Sequence, residues 1–184
     1  MKLTKEGKTY TLVFEDEESP EGRKAENWCG VAALRWLSVV AGQPIGQEKI
    51  AEAIYFDPNE GTDGDQILMG VQAIGLYSSP WMQLTLEQCQ KALDTQLCQI
   101  LVNWTHGDHP DYNHYSSLAA ADGRVVLQDT QVDGGIFILR PADFQKRWHY
   151  GESFTLAAEN ERNWALVITK SLADWQRLLQ GTPT

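Results

Sequence analysis

Along the first half of the chain apolar residues fall at helical spacing, and along the second half they alternate or run together as in strands. From Cys29 they recur at Ala33, Leu34, Leu37, Val40 and Ala41, which lines one face of a helix ending at Gly42. Gln47 to Phe56 carries Ile50, Ala53 and Ile54 on one face, and Asp57-Pro58-Asn59-Glu60-Gly61 breaks the chain behind it. Thr62 or Asp63 caps a third helix bearing Ile67, Leu68, Val71 and Ile74, which Gly75 ends. Ahead of these, Thr9 to Phe14 alternates around Tyr10, Leu12 and Phe14 as a short strand and leads to a turn at Ser19-Pro20-Glu21-Gly22.

The character then changes. Leu76 to Met82 reads as a strand, and Leu84 to Leu93 as a helix capped by Thr85 with Leu86, Cys89 and Leu93 inward. Leu97 to Trp104 is an apolar strand, and the polar loop Thr105 to Tyr112 follows. A hairpin then runs from Asn113 to Ala121, through Asp122-Gly123, and back from Arg124 to Asp129. Ile136 to Leu139 is a strand, Pro141 to Trp148 a helix, Trp164 to Thr169 a strand, and Leu172 to Leu179 a closing amphipathic helix. With no internal repeat or low-complexity segment, this order predicts one α+β domain over 1–184, its helical half packed on a mostly antiparallel sheet.

Composition narrows the function. The 184 residues are 42% apolar and 22% charged, a globular balance with room for a sizeable core. A net charge of −10, with an acidic run at Glu15-Asp16-Glu17-Glu18, argues against nucleic acid as a partner. No apolar run approaches the roughly 18 residues of a membrane span, and Met1 to Glu6 lacks a signal peptide's apolar stretch, so a cytoplasmic location is expected. Oligomeric state is not set by anything in the sequence. Three cysteines without metal-site spacing point to a reducing compartment rather than a disulfide framework, with Cys89 and Cys98 as packing residues.

Cys29 differs from those two because it opens a helix, where unpaired N–H groups and the helix dipole favour a thiolate. A two-residue turn at Asp122-Gly123 would set Ala121 opposite Arg124, Asp129 opposite Ser116 and His114 opposite Gln131. His114 and Asp129 are then diagonal neighbours on one face, ~7–8 Å apart at the backbone, within reach of an imidazole–carboxylate hydrogen bond. A one-residue bulge would turn one of them to the other face. His106, His109 and His114, with Asp108 and Asp111 between them, lack helical ligand spacing, so no metal site is expected. Among seven tryptophans, Trp28, Trp81, Trp104 and Trp148 are candidates for a peptide groove, and Trp36 and Trp164 for the core.

Asn27-Trp28-Cys29-Gly30-Val31-Ala32-Ala33-Leu34, with His114-Tyr115 and Asp122 through Asp129, resembles the papain-like cysteine peptidases. The similarity is to the branch that processes double-glycine leader peptides of bacteriocins, and Gly61-Thr62-Asp63 to Ile74-Gly75-Leu76 resembles that branch's helix leading into a strand. The resemblance implies a papain-like fold and a Cys29-His114-Asp129 triad acting on a peptide or protein by acyl transfer, without a cofactor. In these families a glutamine six residues before the cysteine serves the oxyanion hole; here that position is Arg23. Arg23 or Asn27 is left as the side-chain donor, and Trp28 as a substrate contact. The same residue set serves deamidation and transamidation in related proteins, and the missing glutamine keeps open a module that binds peptide without cleaving it.

Overall fold

The computed structural model describes residues 2–5, 8–11, 27–105, 113–129, 135–148 and 162–181. Strands β1 (Lys2–Lys5) and β2 (Lys8–Thr11) pair antiparallel as a separate hairpin. Then come helices α1 (Cys29–Val40), α2 (Gln47–Ala53) and α3 (Gly64–Ala73). Two short strands follow, β3 (Tyr77–Ser78) and β4 (Met82–Gln83), before helix α4 (Leu86–Asp94). The long strands β5 (Cys98–Thr105) and β6 (Asn113–Ala120) lead to β7 (Val125–Gln128) and β8 (Ile136–Leu139). Helix α5 (Pro141–Arg147), strand β9 (Trp164–Thr169) and helix α6 (Leu172–Gly181) complete the chain.

The main sheet has seven strands, all antiparallel, in the order β3-β9-β5-β6-β7-β8 with β4 beside β9. Alternation along β5 divides the core in two. Leu101, with Tyr115, Leu166 and Ile168, faces α1 to α3, whereas Ile100, Val102 and Trp104 face α4, α5 and Trp148. The helical half therefore covers one sheet face, and α4 and α5 cover the other.

Local chemistry explains each boundary that matters for the site. Helix α1 ends at Ala41, and Gly42 at φ 83° turns the chain away. Of the two capping candidates for α3, Asp63 takes the role: its carboxylate accepts from Gln66 N, and Gln66 Oε1 accepts from Asp63 N in return. Thr85 and Gln88 form the same box on α4. The strand expected over Leu76 to Met82 is instead two short strands split at Ser79-Pro80-Trp81. Pro80 has no N–H to give a ladder, so only Ser79 keeps its bonds to Val167 and Trp81 turns out of the sheet.

The β6–β7 hairpin differs from a two-residue turn in two ways that cancel. The connection is longer, so that Ala120 faces Val126, and the register then shifts between Leu118 and Ala120. Beyond that bulge Leu118 faces Leu127 and Ser117 faces Gln128, the register that a simple Asp122-Gly123 turn would have produced. His114 and Asp129 are thereby delivered to the same side of the sheet. Arg23, the 106–112 segment with His106 and His109, Gln131, and the Phe14 end of the first expected strand lie outside the described residues.

Candidate active site

Cys29 is the first residue of α1 and only 8% exposed. Trp28 occupies the N-cap position, no side chain caps the helix among the described residues, and no acidic residue stands in the first turn. The first-turn N–H groups are thus left to act on whatever lies beside the sulfur. Asn27 just ahead adopts φ 68°, a left-handed conformation that asparagine tolerates. Its Nδ2 donates to the Pro58 carbonyl at 3.0 Å, tying the start of α1 to the loop before α3. Thr62 on that loop packs on Gly30 so closely that a Cβ at residue 30 would come within 2.6 Å of the Thr62 side chain.

His114 and Asp129 are both fully buried, with Nε2 and Oδ1 3.0 Å apart. The imidazole also interacts with the Cys29 side chain. Burial pushes the imidazolium pKa down, but the hydrogen bonds with Asp129 and Cys29 and their charges more than reverse this, carrying it up to about 10. Two further residues support the carboxylate: Ser116, which the hairpin register had set opposite Asp129, and Trp104. Ser116 Oγ donates to Asp129 Oδ2 at 3.1 Å and accepts from Trp104 Nε1 at 2.9 Å. Asp129 N donates to the Gly135 carbonyl, which anchors the end of β7. Cys89 and Cys98 stand apart from all this: burial pushes their thiols up to about 12 and about 11.

The tryptophans sort differently from expectation. Trp104 and Trp148 are completely buried, because their N–H groups find partners inside, on Ser116 and on the Trp164 carbonyl. They are core residues rather than groove walls. Trp28 is 7% exposed with its ring against Phe56 at 4.8 Å, and Trp36 is buried as expected. Trp81 and Trp164, the latter expected in the core, are both half-buried and line a cavity of about 210 Å³ with Gly64, Asn103 and Tyr115. Trp164 is half-buried at the first position of β9. No group of three or more metal-ligating side chains occurs among the described residues.

No protein-family model and no curated protein matches the chain. Solved structures do. The peptidase domain of Streptococcus ComA, a bifunctional ABC transporter involved in a quorum-sensing pathway, aligns with a TM-score of 0.60 at 14% identity over 79% of this chain and 93% of its own. A double-glycine motif protease from an AMS/PCAT transporter, in complex with the leader peptide, gives 0.52 at 12% identity over 78% and 84%. A protein described as a C39-like peptidase from Bacillus anthracis gives 0.55 at 14% identity over 87% and 95%. The chain therefore has the papain-like α+β fold of these C39 peptidase domains. Among the described residues no helix is long and apolar enough to cross a membrane.

Proposed function

We propose that the chain is a cysteine peptidase in which Cys29 is the nucleophile, His114 the proton carrier and Asp129 the group that orients the imidazole. The observation that carries this reading is the buried His114–Asp129 hydrogen bond on an imidazole that also interacts with Cys29. An imidazolium held up to about 10 keeps its proton through neutral pH, and the nucleophile proposed beside it is the sulfur at the positive end of α1. The sulfur attacks the scissile carbonyl carbon, a C–S bond forms, and the oxygen becomes an oxyanion. Collapse breaks the C–N bond while His114 gives its proton to the departing amine. Water then adds to the thioester with His114 taking its proton, and the acid and the free thiolate result.

The oxyanion falls to the Cys29 backbone N–H, with the second hydrogen of Asn27 Nδ2 or the Arg23 guanidinium as the side-chain donor. By analogy with the double-glycine motif protease solved with its leader peptide, the substrate would be a peptide with small residues at the cleaved bond. One observation favours a second reading, a module that binds peptide without turnover: Asn27 already spends one amide hydrogen on Pro58. Incubation with a double-glycine leader peptide followed by mass spectrometry separates the outcomes. Hydrolysis gives two fragments that together weigh the peptide plus one water, and Cys29→Ala abolishes them. Intact peptide under all conditions refutes the peptidase, and an intact peptide with one amide converted to acid shows a deamidase instead.

A further inference from the structure

Cys29 comes from the helical layer and His114 and Asp129 from the sheet, but the hydrogen bonds behind them lead to the aromatic cluster under α5. Trp104 on β5 lies opposite His114 on β6, and Val102 lies opposite Ser116. Trp104 and Ser116 are therefore diagonal neighbours on the sheet face that α4 and α5 cover, and both are buried. Donor chemistry fixes the direction of the chain they form. An indole N–H can only donate, so Ser116 Oγ accepts from Trp104 Nε1 at 2.9 Å, and its single hydrogen goes to Asp129 Oδ2 at 3.1 Å. Asp129 Oδ1 meets His114 Nε2 at 3.0 Å. The indole itself is held on two sides. Its ring stands 5.5 Å from Phe137 of β8 and 6.0 Å from Phe144 of α5, and Phe144 stands 5.1 Å from Trp148.

We propose that Trp104 is a positioning residue for the reaction, acting through Ser116 to hold the Asp129 carboxylate against His114; this rests on the peptidase reading above. A serine hydroxyl by itself is free to turn its hydrogen to another acceptor. With the indole bound to its oxygen, that hydrogen stays on Asp129. A hydrogen bond donated to a carboxylate favours its ionised form. The titratable groups acting on His114 are Asp129 and Cys29, and the cluster packed behind them is aliphatic and aromatic apart from the Cys89 thiol. Loss of the donated hydrogen therefore lets Asp129 take up a proton at higher pH, and a neutral Asp129 no longer supports an imidazolium beside the sulfur. Side chains of β8 and α5 thereby bear on the reaction without touching the peptide.

The test uses the whole chain with Trp104→Phe, Ser116→Ala and the two together. The pH profile of Cys29 alkylation is expected to move its acid limb upward by ~1 unit in Ser116→Ala, the size of one hydrogen bond to a charged group, and by at least ~0.5 unit in Trp104→Phe. The double variant is expected to move it no further than Ser116→Ala alone, since without the hydroxyl the indole has nothing to act through. A purely structural role would lower the urea midpoint and leave the acid limb in place. That result, or shifts that add in the double variant, overturns the proposal. The Nε2 proton of His114, followed by NMR and assigned with His114→Gln, gives a second reading that needs no reactive thiol. Its titration midpoint in acid is expected to move in the same order, and an unmoved midpoint in both single variants overturns the proposal. An unreactive Cys29 with a His114 midpoint that responds to Trp104→Phe would sink the peptidase and keep the chain of hydrogen bonds, and a reactive Cys29 with an unmoved midpoint would do the reverse.

Discussion

Asp129 is the residue on which the geometry of the site converges. Its two carboxylate oxygens take His114 and Ser116 separately, and Ser116 is in turn held by Trp104. Ser116→Ala removes a donor from a buried carboxylate, so it is expected to destabilise the fold by about 1–3 kcal/mol. Turnover of the leader peptide should fall ~10-fold with it, because the imidazole is less firmly oriented; urea unfolding and steady-state cleavage check both. The raised His114 pKa also sets a pH dependence. A group that binds its proton more tightly folded than unfolded adds stability that is fully present below its unfolded value of about 6.5. That stability is lost as pH rises toward about 10. The urea midpoint is expected to decline between those limits, and less so in His114→Gln. The hairpin that joins His114 to Asp129 was legible in the sequence because a hairpin is a local object, although its register matched a simple turn only through an offsetting bulge. The Trp104 support was not, since Trp104 arrives on a strand whose neighbours no local pattern names. Asn103 did leave a trace, as the single polar residue within Ile100-Leu101-Val102-Asn103-Trp104.

Helix contacts show how closely the elements are fitted around Cys29. At Gly70 of α3 a Cβ would run into the Leu34 side chain of α1 and meet Ile54 Cγ2 at 3.2 Å. Alanine there gains up to about 1 kcal/mol in helix propensity. Overpacking between two buried helices opposes this by about 1–3 kcal/mol. Gly70→Ala is therefore expected to lower stability by about 1 kcal/mol, measured by thermal or urea unfolding; a gain would show that α1 and α3 have room to part. The long elements were readable from periodicity, and the end of α1 at Gly42 and the start of α3 at Asp63 follow turn and capping chemistry. The break between β3 and β4 was signalled by Pro80, whose missing N–H outweighs the apolar pattern around it. The hairpin register came out as a simple turn predicts only because a longer connection and a bulge offset each other, a coincidence that no periodicity contains.

At the scale of the whole molecule, the sheet is covered on both faces, and its last strand, β9, lies between β3 and β5. The α+β order was evident in the sequence, but the position of β9 and the way α4 and α5 cover the second face depend on long-range contacts. This arrangement brings Cys29, from the first helix, to a histidine and an aspartate more than 80 residues later, in an interior that excludes water and strengthens their electrostatic coupling. The most direct test is the rate at which iodoacetamide alkylates each cysteine as pH is varied. Cys29 is expected to react at pH 6 at least ~100-fold faster than Cys89 or Cys98, whose thiols burial holds well above the usual range. His114→Gln or Asp129→Asn should remove most of that advantage. Equal and slow labelling of all three cysteines, or a Cys29 rate that climbs with pH like that of an ordinary thiol and is indifferent to His114, would contradict the thiolate–imidazolium pair and the peptidase with it.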